Sequence, residues 1–176
     1  MSIIQEATEN SSGQLEMLIN IVPLSIYNIV LPIPQLPKEG EVSINVKNFP
    51  DSAFREYVKT EFDKNGNDVL SVAELEAATY IDITGNTQIK SVKGIEYFTS
   101  LEGLECRLTS VESLDLTSNK KLKELNCAHN QNLTSLDIMG LEELEGLYLS
   151  DTGIKDLSLK SNKKLNGLIC MGDRNR

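Results

Sequence analysis

Residues Leu122 to Leu133 read LKELNCAHNQNL, the pattern L-x-x-L-x-C-x-x-N-x-x-L. Leu122, Leu125 and Cys127 are spaced by three and two, and Asn130 and Leu133 follow. A helix would repeat its apolar positions at three and four, and a half-buried strand at two, so neither period fits. The spacing fits one turn of a leucine-rich solenoid. There a short strand buries the three apolar side chains and an Asn turns the chain.

The pattern continues on both sides. Apolar triplets with the same internal spacing fall at Leu101, Leu104, Cys106; at Leu144, Leu147, Leu149; and at Leu165, Leu168, Cys170. Their last members step by 21, 22 and 21 residues. A second set lies between them: Val111, Leu114, Leu116; Leu133, Leu136, Ile138; and Ile154, Leu157, Leu159. Each coil of about 21 residues therefore carries apolar triplets on two opposite walls. Asn119, Asn130 and Asn162 each stand three residues after a triplet, where an inward amide can satisfy backbone groups left unpaired by the bend. Thr152 and Asp173 hold the equivalent place in two other turns, and the turn at Cys106-Arg107-Leu108 lacks the Asn. The expected fold is an α/β solenoid of roughly four coils with parallel strands.

Ahead of the repeats the period changes. Asp51 or Ser52 can cap a helix after Pro50, and Phe54, Val58 and Phe62 give it one apolar stripe. The turn formers Asp63 to Asp68 stop it, and a second helical pattern runs from Val72 to Thr79. Val42 to Val46 alternates like a short strand. Three regions are expected: an N-terminal segment 1–46, a helix-loop-helix cap 47–80, and repeats 81–176. All five prolines fall in the first fifty residues. Residues 1–14 are polar and read as a mobile end. Met17 to Pro37 carries no charge and is long enough to raise the question of a membrane span. Its prolines and the lack of a basic flank favour extended segments or edge strands instead. No Lys or Arg precedes Lys38, so the basic start of a signal peptide is missing.

With 17 basic and 26 acidic side chains the formal charge is −9, and the pI is near 4.7. That argues against nucleic acid and against an anionic membrane surface. Three cysteines without a C-x-x-C pair make neither a disulfide framework nor a zinc site.

Residues 99–138, TSLEGLECRLTSVESLDLTSNKKLKELNCAHNQNLTSLDI, resemble the short-repeat leucine-rich domains of secreted and surface proteins of Gram-positive gut bacteria. The preceding FPDSAFREYVKTEFDKNGNDVLSVAELEAATYIDI resembles the EF-hand-like cap that precedes the repeats in internalin-type proteins. The resemblance covers about 50–176 and implies an extracellular or cell-surface location.

Asp63 to Glu74, DKNGNDVLSVAE, matches a calcium loop. Its ligands would be Asp63, Asn65, Asn67, the Val69 carbonyl, Ser71 through water, and Glu74 as the bidentate carboxylate. Asp68 stands where such loops favour Gly, and only two carboxylates contribute, so affinity is expected on the order of 10⁻⁴ M or weaker. The alternative is a metal-free cap kept for packing. Cys106, Cys127 and Cys170 read as small buried core residues rather than a redox or metal set. His129, the only His, reads as a surface turn residue. Glu102 with Glu105, and Glu142, Glu143 with Glu145, read as a solvated acidic face rather than an acid–base pair.

The remaining candidate is a face for a partner. Glu105, Asn126, Tyr148 and Ile169 point outward from the strands, flanked by Arg107, Ala128, Ser150 and Met171. The sequence points to a non-enzymatic module that recognises a protein or glycan at a bacterial surface, its cap stiffened by calcium. The alternative is a spacer segment of a longer surface protein with no partner of its own. An open C-terminal edge with Leu168 to Met171 would also permit self-association. No nucleophile, base and orienting group can be assembled for an enzyme.

Overall fold

The computed structural model describes residues 4–9, 15–20, 30–32 and 37–171. The chain divides into two compact units, Met1–Lys38 and Glu39–Arg176. In the first, β1 (Ile4–Glu9) pairs antiparallel with β2 (Leu15–Asn20), and β2 with β3 (Val30–Pro32). Six residues of the segment expected to be a mobile end are thus strand. Residues 10–14, and most of the uncharged stretch 17–37, lie outside the described residues. No helix among the described residues is long and apolar enough to cross a membrane.

The second unit begins with the cap. The alternating stretch at 42–46 forms only the two-residue β4 (Val42–Ser43), because the Asn45 side chain turns the chain by accepting from Lys47 N and Asn48 N. Helix α1 (Ser52–Phe62) starts at Asp51, whose Oδ1 accepts from Ala53 N and Phe54 N, both at 3.0 Å. After a polar loop, β5 (Val69–Leu70) pairs antiparallel with β4, and α2 (Val72–Ala77) follows. The second helix ends two residues before the expected Thr79. A capping box between Ser71 and Glu74 fixes its start.

All four phenylalanines of the chain meet where the cap joins the repeats. Phe49 lies 6.2 Å from Phe54 and 6.4 Å from Phe98 between ring centres, and Phe62 lies 5.1 Å from Phe98. Gly94 permits this closeness. Its φ is +108°, and a Cβ there would stand 2.2 Å from the Phe49 ring.

The repeats form one parallel sheet: β6 (Tyr80–Asp82), β7 (Gly103–Glu105), β8 (Glu124–Asn126), β9 (Gly146–Tyr148) and β10 (Gly167–Ile169), in that spatial order. The register places Ile81, Leu104, Leu125, Leu147 and Leu168 in one inward column. The first four are fully buried, while Leu168 is 42% exposed. The second-wall triplets Val111–Leu116 and Leu133–Ile138 are buried without forming strands. Coils of 21–22 residues stacked in this way make the expected leucine-rich solenoid.

The asparagines bind one coil to the one before it. Asn130 Nδ2 donates to Cys106 O (2.8 Å) and Cys127 O (3.1 Å), and its Oδ1 accepts from Thr109 N and Oγ1. Thr109 is what the first turn has in place of an Asn. On the other wall, Asn119 donates to Ile95 O and Phe98 O, and Asn162 to Ile138 O and Leu141 O. Each Asn faces a coil whose equivalent residue is not Asn: Phe98 before Asn119, Thr109 before Asn130, Leu141 before Asn162. Asp173, expected in the same role, lies outside the described residues.

Candidate functional site

Two features are candidates, the polar loop of the cap and the outward side of the sheet. In the loop, Asp63 is buried, although its side chain is a carboxylate. Its Oδ1 accepts from Gly66 N (2.9 Å) and Asn67 N (3.2 Å), and its Oδ2 from Asp68 N (2.9 Å). Asn65 Oδ1 accepts from Asn67 N, and Asn67 Oδ1 from Val69 N. Asp68 has φ +61°, as the tight turn at that position requires, and pairs with Lys59. The Asp63, Asn65 and Asn67 side chains are thus folded over the loop by its own N–H groups.

Glu74 closes the loop from the far side. Its Oε1 accepts from Lys64 N (2.8 Å), and its Oε2 from Ser71 N (2.8 Å) and Ser71 Oγ (2.7 Å). Burial works to raise the Glu74 carboxyl, but the Ser71, Lys64 and Asn65 donors outweigh it and hold the group below its usual range. The donors of Asp63, Asn65, Asn67, Ser71 and Glu74 are all hard oxygens, the type calcium takes. Through these bonds Glu74 joins the two ends of the loop.

The sheet presents two outward columns. One runs Tyr80, Gly103, Glu124, Gly146, Gly167, and the other Asp82, Glu105, Asn126, Tyr148, Ile169. The structure therefore brings Glu105, Asn126, Tyr148 and Ile169 into one line. Glu105, Asn126 and Tyr148 are half-buried and Ile169 is exposed. Beside them Arg107 and Met171 are exposed and Ser150 is half-buried, but Ala128 is buried and offers a partner nothing. The Glu105 carboxyl is pushed up, first by burial; the Asn126 amide and Arg107 oppose this, and Asp82 and Glu124 add to it.

The first column held residues that the repeat pattern did not single out. Tyr80 is 51% exposed, and its ring lies over Gly103, where a Cβ would come within 2.4 Å of Tyr80 Cδ2. Gly103 thus seats the Tyr80 ring, and Gly146 lies beside the Tyr148 ring and the Glu124 side chain. The signal was present in the sequence as a Gly at the first strand position of three coils.

Cys106 and Cys127 are buried and adjacent, and the hydrogen bond that the Cys106 thiol donates to Cys127, together with burial, pushes that thiol well up, so it is an unreactive core group. Cys170, expected to be buried, is exposed, because no further coil covers the β10 side among the described residues. His129 sits in the turn at φ +60°, with Nδ1 3.0 Å from Asp151 Oδ2. Glu102 and Glu143 are each bound across one coil, to Lys123 at 2.7 Å and Lys164 at 2.6 Å. All four of these side chains are about half exposed, as on a solvated charged face.

No family model matches the chain, and no curated protein matches it either. Among solved structures it is similar to internalin C2 of Listeria monocytogenes, with 27% identity and a TM-score of 0.62 over 76% of this chain and 59% of that one. It is also similar to an internalin (inlF) of the same species, with 29% identity and a TM-score of 0.61 over 74% of this chain and 37% of that one. The chain thus spans less than two thirds of either relative. Its fold is the leucine-rich-repeat solenoid of these internalins.

Proposed function

We propose that the chain is a non-enzymatic recognition module of a secreted or cell-surface bacterial protein, taking a protein or glycan on the outward face of its parallel sheet. The observation that carries this is the sheet itself. Five strands in register hold Glu105, Asn126, Tyr148 and Ile169 in a fixed line, beside the half-exposed ring of Tyr80. A rigid surface of this kind binds without losing much conformational entropy. The likeness to internalins supports a surface location and an interaction role. Replacing Tyr148→Ala and Glu105→Lys together tests the reading. Capture of surface components from host or bacterial extracts should fall with the double variant. Equal capture by both proteins, or none by the wild type, leaves a spacer.

The cap is proposed to bind calcium weakly through Asp63, Asn65, Asn67, Val69 O, Ser71 and Glu74. The support is the folded-over carboxylate and amide oxygens and the positive φ at Asp68. With a Kd near 0.1 mM, 1 mM calcium adds about 1.4 kcal/mol of stability. The melting temperature should rise by a few degrees over that in chelator, and Glu74→Gln should abolish the increment. A wild-type melt indifferent to calcium would overturn the calcium reading and leave the loop held by Asp63 and Glu74 through its own N–H groups.

A further inference from the structure

The geometry points to β6–β8 as the dock for a cationic side chain, a lysine or arginine presented by a partner protein. This inference rests on the reading that the sheet face takes a partner. In the register of β6 and β7, Asp82 stands directly opposite Glu105. Like charges in that position cost stability. Glu124, on the next strand, adds a third carboxylate on the same face: Asp82 and Glu124 both act on Glu105, and all three act on the Tyr80 hydroxyl. Arg107 offsets this only in part. A surface that keeps such a conflict is relieved when a cation lies over it.

The ring of Tyr80 supplies the other half of the site. Gly103 lets the ring lie against the sheet, since any side chain there would displace it, and the ring remains half exposed. An aromatic face held next to carboxylates suits an organic cation. The ring attracts the charge through its π face, and the carboxylates accept the N–H bonds. A metal ion fits less well. Among the described residues, no three carboxylate, imidazole or thiol groups converge closely enough to hold one. A neutral glycan could stack on Tyr80, but it would leave the three carboxylates unneutralised.

The test uses NMR of the full chain, titrated with Nα-acetyl-arginine methylamide and with its citrulline counterpart, which has the same shape without the charge. Saturable shifts are expected at Tyr80, Asp82, Glu105 and Glu124. Binding should weaken about tenfold with citrulline, and about tenfold again for arginine on the exposed and isosteric change Glu124→Gln. Tyr80→Phe, which keeps the ring, should retain binding. Equal shifts from the two derivatives would overturn the proposal. So would shifts at Tyr80 from an N-acetylglucosamine oligomer but not from the arginine derivative. If the arginine derivative fails while extract capture still depends on Glu105 and Tyr148, the cation dock falls and the sheet-face reading stands.

Discussion

Asn130 shows what one polar side chain does inside an apolar stack. It is 2% exposed and satisfies Cys106 O, Cys127 O, Thr109 N and Thr109 Oγ1. Asn130→Ala would leave the buried Cys127 carbonyl and the Thr109 N–H without partners, while Cys106 O keeps the Thr109 hydroxyl. Each orphan costs about 1–3 kcal/mol, so the loss should be at least about 2 kcal/mol in urea unfolding. A loss below about 1 kcal/mol would mean that water can enter the turn and replace the amide. The position of the Asn was legible in the sequence, three residues after each triplet. Its partner was not. Thr109 stands 21 residues away, in a turn with no Asn to mark it, although its hydroxyl completes the bond.

At the scale of the element, helix α1 depends on Asp51 twice. One carboxylate oxygen caps the helix, and the other accepts from Lys90 N (2.9 Å) and Ser91 N (3.1 Å) in the first coil. The cap was readable from local sequence, but the clamp, formed across some forty residues, was not. Burial works to raise the Asp51 carboxyl, yet the four N–H donors hold it below its ordinary 3.8. Glu74 is likewise held below 4.5. A carboxyl lowered by folding stabilises at any pH above its unfolded value, and that contribution is lost as pH falls through the folded value. The cap should therefore loosen below about pH 4, ahead of the repeats. Amide exchange in α1 should accelerate there while exchange at Leu125 does not. Asp51→Ala should cost roughly 2 kcal/mol at neutral pH and little in acid. Equal acid sensitivity of helix and repeats would refute this order.

For the molecule as a whole, stability is a sum over neighbouring coils. Leu125 and Leu168 share one inward column, but Leu125 is fully buried and Leu168 is 42% exposed. Leu125→Ala should cost roughly 3 kcal/mol in chemical denaturation, and Leu168→Ala less than about 1. Equal costs would mean that the β10 side is covered in solution. The solenoid was legible because its period recurs in every coil. The acidic and aromatic face was not, because it depends on which outward residues the register places side by side. The alternation of Asn from coil to coil on each wall has a further consequence, for how such an array can lengthen. Asn119 and Asn162 stand 43 residues apart, as do the identical segments SNKKL at 118 and 161 and LEGL at 101 and 144. The unit of growth is therefore the pair of coils. Tandem duplication of 43 residues puts each new amide against a coil that lacks one, whereas duplication of the single coil around Leu141 would leave the Ile138 and Leu141 carbonyls without the amide that Asn162 supplies.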